Sequence, residues 1–301
     1  QILLTELDFD LGKSKGAGQL SVDLKTVPII AATLKVNSVD VENWQPWIKW
    51  LMDHERTGDN SGTPSLPEAE DAPWNWLIAL PDNVNGEATL AIGAMLYNGK
   101  IARQLEVVAS MQHGMLTIEK ANAILPGGAD VKITAQTNVI TPASVRADKS
   151  GQENTTDRID QKSLSGTIQF NASNLRGFAE WLKFDVSSLP QGQLTGFQFR
   201  SDYQLKPEQL VIGNVSGLID STRFTGHVSY GLMPSPRWAV ALEADRFNVD
   251  SYLFSIPDVG VENTDSTEFQ WVLPPVLDAM DVEYDVRVAR LNYAGIKTRG
   301  A

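Results

Sequence analysis

Cysteine is absent from this chain of 301 residues, and there are only three histidines. Without cysteine the chain has no disulfide, no thiolate metal ligand and no thiol nucleophile. The histidines, His54, His113 and His227, are scattered, and none belongs to an HExxH motif or has a second histidine four residues away. We therefore predict no metal site, no bound cofactor and no catalytic residue.

Basic residues and long apolar runs are also scarce. The chain has 25 Lys and Arg against 37 Asp and Glu, a net charge of -12, and no basic stripe. Nucleic-acid binding needs clustered cations, so we exclude it. No run approaches the ~18 apolar residues of a membrane-spanning helix, and nothing resembles a signal peptide. Because Gln1 falls inside a repeated pattern, we expect the chain to be a fragment of a longer protein.

Alternation of apolar and polar residues is the main feature that is present. In residues 193–206 the apolar side chains occupy every second position, which indicates a strand with one buried face. Residues 210–219, 224–232 and 238–247 continue the alternation, and turn-forming residues separate them. The stretch predicts four antiparallel strands in a meander.

Two internal repeats extend this pattern along the chain. Residues 1–44 align without gaps at an offset of 208, which places Ser21, Leu24, Pro28, Ala31, Leu34 and Val41 on Ser229, Leu232, Pro236, Ala239, Leu242 and Val249. A shorter and weaker match places residues 88–99 on residues 284–295, at an offset of 196. Repeats of this kind indicate stacked units rather than unrelated domains.

The repeats and the composition divide the chain into β units and linkers. We predict six segments. Residues 1–52 are the end of a preceding β unit with its closing helix, and residues 53–79 are an acidic linker with a short helix. Residues 80–183 are a β unit with a closing helix and a flexible insertion at about 142–162, residues 189–254 are a β meander, residues 255–272 are a linker, and residues 273–301 are the start of a further unit.

Helical periodicity is confined to three segments. They are residues 43–52, residues around 73–79 and residues 174–183, and the first and third begin with an asparagine suited to capping a helix. Residues 53–72 and 145–162 contain too few apolar side chains to offset the entropy of ordering, so we expect both to be exposed and sensitive to proteases.

Several of these segments resemble the AsmA family of Gram-negative envelope proteins. The resemblance rests on the strand succession over residues 86–138, which includes LTIEKANAILPGG at 116–128, and on LSGTIQFNASNLRGFAEWL at 164–182, LPQGQL at 189–194, DSTRFTGHVSY at 220–230 and ADRFNVDSYL at 244–253. It implies a periplasmic protein held in the inner membrane by an anchor absent from this sequence, related to TamB-like and chorein-type bridge proteins. Such relatives build elongated U-shaped β-grooves that carry phospholipid acyl chains. The long acidic insertions depart from that pattern.

The resemblance and the repeats together favour one fold class, which is mainly β: repeated antiparallel β-sheet units that form an elongated U-shaped groove, with short helices between units. The predicted groove residues are Leu90, Ile92, Leu96, Phe197, Phe199, Tyr203, Leu205, Val228, Tyr230, Trp238, Val240 and Leu242. Alternation alone would favour a sandwich, in which two sheets bury the same residues against each other.

Three functions remain open at this stage. The first is a lipid-binding or lipid-conducting groove of the periplasm, the second a structural or adaptor module for outer-membrane protein assembly, and the third a β-rich hydrolase. For a hydrolase the candidate acids are Asp8 with Asp10 and Asp278 with Asp281. Among 37 acidic residues such pairs arise by chance, and the glycine-rich LPGGAD at 125–130 lacks the lysine of a phosphate loop. We predict a non-enzymatic protein.

Overall fold

The computed structural model describes residues 2–11, 14–41, 80, 82–140, 161–187, 189–231, 237–252, 281–294 and 296–299. The first unit contains β1 (Ile2–Leu11), β2 (Ser14–Asp23) and β3 (Ile29–Asp40). The second contains β4 (Asn85–Tyr97), β5 (Lys100–Gln112), β6 (Met115–Leu125), β7 (Ala129–Ile140), β8 (Gln161–Ala172) and helix α1 (Leu175–Trp181).

The remaining strands follow α1. They are β9 (Phe197–Lys206), β10 (Gln209–Ile219), β11 (Thr222–Gly231), β12 (Arg237–Ala244), β13 (Phe247–Asn248), β14 (Asp281–Val288), β15 (Arg290–Tyr293) and β16 (Ile296–Arg299). A single turn of 3-10 helix (Val249–Ser251) follows β13.

Thirteen strands form one continuous sheet in the order β1 to β12 and then β14, and it does not close into a barrel. A small sheet of β13, β15 and β16 lies beyond the ends of β12 and β14. The predicted fold class, mainly β with long, largely antiparallel groove-type units, is therefore confirmed. The four meander strands predicted after residue 193 are β9 to β12.

In the small sheet β13 pairs in parallel with β15, and two strand pairs of the large sheet are parallel, namely β3 with β4 and β12 with β14. Local alternation cannot reveal strand direction, because both directions have a period of two. A parallel pair needs a long crossover connection, and residues 41–84 and 245–280 separate these strands in the chain. The predicted helices at 43–52 and 73–79 lie outside the described residues, as do the predicted protease-sensitive segments at 53–72 and 145–162, except for residues 161 and 162, which begin β8.

Local signals account for the hairpins and the helix. Asn98-Gly99 and His113-Gly114 both have positive φ at both residues, as two-residue hairpin turns require. Asn174 caps α1, because its side-chain oxygen accepts a hydrogen bond from the Gly177 backbone N–H at 2.9 Å. The helix predicted at residues 174–183 is thus confirmed.

Both internal repeats are repeats of structure. At the offset of 208, β2 begins and ends at the residues equivalent to the ends of β11, and β3 starts at the residue equivalent to the start of β12. A register shift falls between Leu4 and Leu7 in β1, and its counterpart falls between Ile212 and Val215 in β10. At the offset of 196, β4 and β14 begin at equivalent residues.

Candidate functional site

One face of the large sheet is apolar from edge to edge, and we call it the apolar face. The pairing registers connect one residue from every strand in a single row across it. In strand order the row is Leu4, Leu20, Ala32, Ala88, Ala109, Ile118, Ala135, Gly166, Tyr203, Ile212, Val228, Val240 and Tyr284. Paired residues share a face, so this row is one band of apolar residues in which Gly166 contributes only its backbone.

A second row runs beside the first and is apolar apart from one residue. From Leu7 it passes through Gly18, Leu34, Leu90, Val107, Ala121, Ile133 and Ile168 to Ser201, and it continues from Val215 through Gly226 and Leu242 to Val286. The exception, Ser201, is 1% exposed, and its hydroxyl has no hydrogen-bond partner among the described residues.

Most side chains on the apolar face are only half-buried. Among the buried ones, Ala135, Leu164 and Tyr203 form a small core at the middle of the sheet, on β7 to β9. Tyr203 pairs with Gly166 on β8, and its hydroxyl donates to the Thr134 carbonyl oxygen on β7 at 2.9 Å. Burial raises the pKa of Tyr203 above its usual value.

Helix α1 brings aromatic side chains to one end of the apolar face. Its Trp181 is buried, packs edge-on against Tyr97 and donates its indole N–H to the Tyr97 carbonyl oxygen at 2.8 Å. Its Phe178 packs against Phe170 of β8, with ring centroids 4.8 Å apart. The ring contacts continue from Phe170 to Phe197, and from Phe197 to Phe199 and Phe224. This aromatic ladder spans the strand ends from β4 to β11.

Arg176 holds the segment that follows α1. Its guanidinium donates to the carbonyl oxygens of Val186 at 2.7 Å, Leu189 at 3.0 Å and Pro190 at 2.6 Å. The Leu189-Pro190 pair lies in this segment, and β9 begins only at Phe197. The sequence analysis did not predict that Arg176 binds these carbonyl oxygens. The arginine in NLRGFAEWL at 174–182, together with the nearby Leu189-Pro190 pair, could have suggested it.

Asp220 ties the same segment to the β10–β11 turn. Its carboxylate accepts hydrogen bonds from the Leu194 and Thr195 backbone N–H groups, the Thr195 hydroxyl and the Tyr252 hydroxyl, all within 3.0 Å. Burial alone would raise the pKa of Asp220, but these hydrogen bonds outweigh it and hold the pKa below its usual value. Burial, together with Asp220, raises the pKa of Tyr252.

Eleven of the twelve predicted groove residues lie on the apolar face, and Leu96 lies on the opposite one. Leu96 pairs with Ile101, which is two residues from Arg103 and therefore on the same face of β5. From Arg103 a continuous set of pairs crosses the opposite face of the sheet, through Ile124, Asp130 and Asn171 to Gln198. A β-bulge between Arg103 and Glu106, where Gln104 has φ 53°, exchanges the two faces of β5. Consistently, Ile101 is 49% exposed whereas Ala102 is fully buried.

The residues considered for catalysis lie apart from the apolar face or from one another. Asp8 and Asp10 are exposed on the opposite face of β1, and Asp10 pairs with Lys15 at 3.3 Å. His113 lies in a hairpin turn, His227 is exposed on β11, and His54 and Asp278 fall outside the described residues. Within the described ranges no three His, Asp or Glu side chains cluster as metal ligands would, and no helix combines the length and apolar character needed to cross a membrane.

The large sheet is one layer of paired strands, so the sandwich considered from alternation alone is not the arrangement of the described strands. No family model, curated protein or solved structure matches the chain.

Proposed function

We propose that this chain is part of a non-enzymatic, periplasmic envelope-biogenesis protein whose apolar face binds or conducts phospholipid acyl chains between the inner and outer membranes of a Gram-negative cell. The observation that carries the proposal is the apolar row that crosses all thirteen strands with its side chains mostly half-buried. The resemblance of the sequence to the AsmA family supports the envelope and its phospholipids as the setting.

The physical argument concerns uncovered apolar surface. Apolar surface left in water costs about 25 cal/mol per Å², so a face of this extent favours an apolar partner. An acyl chain gains about 0.8 kcal/mol for each methylene group that it buries. Because the row runs across strands rather than along one strand, an acyl chain that moves along it meets apolar side chains continuously from β1 to β14.

A second candidate is an adaptor module for outer-membrane protein assembly. The observation that favours it is the edge strand β1, whose Ile2, Leu3 and Leu4 are 53%, 59% and 47% exposed. One edge of β1 is unpaired within the described sheet, and such an edge can accept a strand from a partner. This candidate requires β-strand addition and no lipid.

Charged substitutions on the apolar face test the first proposal. Phe199→Glu and Leu242→Glu each place a carboxylate among half-buried apolar side chains. His227→Glu is the matched control, because His227 is exposed on the opposite face of β11. The wild type and all three variants would be purified from an envelope expression host, and bound lipid would be measured by extraction and mass spectrometry beside thermal melts.

We expect lipid with the wild type and the control, little lipid with the two apolar-face variants, and only modest losses in melting temperature. A carboxylate buried in a packed core would instead cost several kcal/mol. Absence of lipid from the wild type, together with collapse of both melting temperatures, would reject the groove and favour a closed structural module.

A further inference from the structure

The polar face of β8 to β11 contains a shallow depression of about 410 Å³ that presents hydrogen-bond donors. Its lining includes Gln169, Asn171, Gln198, Arg200, Ser216 and Arg223, with Leu218 between them. Register places Asn171, Gln198, Leu218 and Arg223 in one cross-strand row and Gln169, Arg200 and Ser216 in the next. No carboxylate is among the residues that line it.

Both arginines of the depression lack a counter-ion. Among the described residues, Arg237, Arg246 and Arg287 form ion pairs, whereas the guanidinium groups of Arg200 and Arg223 form neither an ion pair nor a hydrogen bond.

The neighbouring carboxylates are already engaged. Asp202 accepts a hydrogen bond from the Asn214 amide at 2.6 Å, and Asp130 lies 3.7 Å from the Lys132 ammonium. Asp245 accepts the Arg223 backbone N–H at 3.0 Å and pairs with Arg246 at 3.3 Å. The guanidinium groups therefore remain available on the surface of the depression.

The internal repeat shows what is missing beside Arg223. Its equivalent at the offset of 208 is Lys15, which pairs across β1 and β2 with Asp10, at 3.3 Å between their charged atoms. The residue equivalent to Asp10 is Leu218, which occupies the same position opposite Arg223. The first repeat thus neutralises its cation within the sheet, and the second repeat leaves its cation free.

We propose that this depression binds a phosphate-type oxyanion between Arg200 and Arg223, with the Asn171, Gln169 and Gln198 amides as further donors. The arginines lie on β9 and β11, roughly 9.6 Å apart across two strand spacings and roughly 6.8 Å apart along the strands, which separates their Cα atoms by roughly 12 Å, so the two long side chains can reach one anion above β10. Guanidinium groups bind phosphate oxygens in a bidentate manner. The site is on the face opposite the apolar rows and does not depend on lipid binding there.

Inorganic phosphate is the probe for the test, titrated into the full chain at low ionic strength by isothermal calorimetry. We expect millimolar or tighter binding by the wild type, at least fivefold weaker binding by Arg200→Gln or Arg223→Gln, and no measurable binding by the double variant. Leu218→Asp, which recreates the Asp10–Lys15 pair, should weaken binding at least tenfold, whereas Leu218→Asn should not. Lys35→Gln, in the first repeat, is the control and should bind like the wild type.

The phosphate could belong to a small molecule or to a lipid headgroup, and flotation with vesicles separates the two. Binding to vesicles that contain an anionic phospholipid, lost in the arginine double variant, identifies a headgroup; phosphate binding without flotation identifies a soluble phosphate. Circular dichroism melts verify that each variant is folded, and Arg200→Lys with Arg223→Lys supplies a charge-preserving alternative if either glutamine variant is not. Equal phosphate affinity in the wild type and the double variant, or no binding by a folded wild type, would overturn the proposal.

Discussion

The two copies of the repeat, β1 to β3 and β10 to β12, share backbone geometry but differ in charge. Ser14 and Thr222 are equivalent and are both buried. The side chains of Asn37 and Asp245 are also equivalent, and they accept hydrogen bonds from the equivalent Lys15 and Arg223 backbone N–H groups, at 2.7 and 3.0 Å. These two positions keep the same role in both copies, whereas charged residues elsewhere on the polar face differ between the copies.

One contact between an aromatic ring and a glycine is present in both copies, but the two residues lie on exchanged strands. In the first copy the Phe9 ring lies over Gly16, and in the second copy the Phe224 ring lies over Gly217, the residue equivalent to Phe9. The aromatic residue and the glycine have changed strands, but the pair has stayed. The requirement is therefore for one ring above one bare backbone position, and either strand can supply the ring.

The strongest test of this shared geometry is at Gly18 and its equivalent Gly226. A Cβ at either position would overlap a backbone carbonyl oxygen on the next strand, that of Thr33 or of Ala241. We expect Gly18→Ala and Gly226→Ala each to lower the free energy of unfolding by about 1–3 kcal/mol, measured by chemical denaturation.

Gly213→Ala is the control, because a Cβ there meets nothing within 4 Å and its φ is not positive. If Gly226→Ala were as stable as this control, the close approach of the strands would not constrain the repeat.

The Asp220 contacts distinguish the second copy, since Gly12 occupies the equivalent position in the first. We expect Asp220→Ala to cost about 1 kcal/mol, because it removes the acceptor of several hydrogen bonds. The pKa of Asp220 is lower in the folded state, so its contribution is present above the unfolded pKa of about 3.9 and is lost as the pH falls through the folded pKa.

Denaturation midpoints from pH 2 to 7 measure this contribution. The difference between the wild type and Asp220→Asn should be constant above about pH 5 and should shrink below pH 4. A difference that is independent of pH would show that the carboxylate charge is not responsible.

The smallest effect is expected at the position where the first copy has Asn37 and the second has Asp245, because either side chain accepts the same backbone hydrogen bond. Asp245→Asn gives the second copy the side chain of the first, and we expect a change within about 0.5 kcal/mol. Asp245→Ala removes the acceptor and should increase hydrogen exchange at the Arg223 backbone N–H, measured by NMR. Equal exchange in both variants would mean that the side-chain acceptor contributes nothing.

Much of the fold was predictable because it depends on local patterns. Alternation predicted β9 to β12 and Asn174 predicted the start of α1, and the hairpin turn at Asn98-Gly99 has the dipeptide that favours it. Eleven of twelve candidate groove residues share one face for the same reason. Leu96 could not be placed, because the bulge near Gln104 is a change of register that alternation does not report.

The contacts of Asp220 were also beyond prediction, since they join the β10–β11 turn to Leu194 and Tyr252, 26 and 32 residues away in the chain. The polar-face depression is a similar case: Gln169, Arg200 and Arg223 are unremarkable surface residues until pairing brings their strands together.

The β class, the repeated unit and its spacing follow from periodicity, turn residues and a constant offset, which are local properties of the chain. Three features emerge only from the fold: which strands pair in parallel, the merging of the units into one thirteen-stranded sheet, and the face that each side chain occupies beyond a bulge. Strand direction, register and face are properties of pairs of strands, and a strand's own residues do not specify its partner.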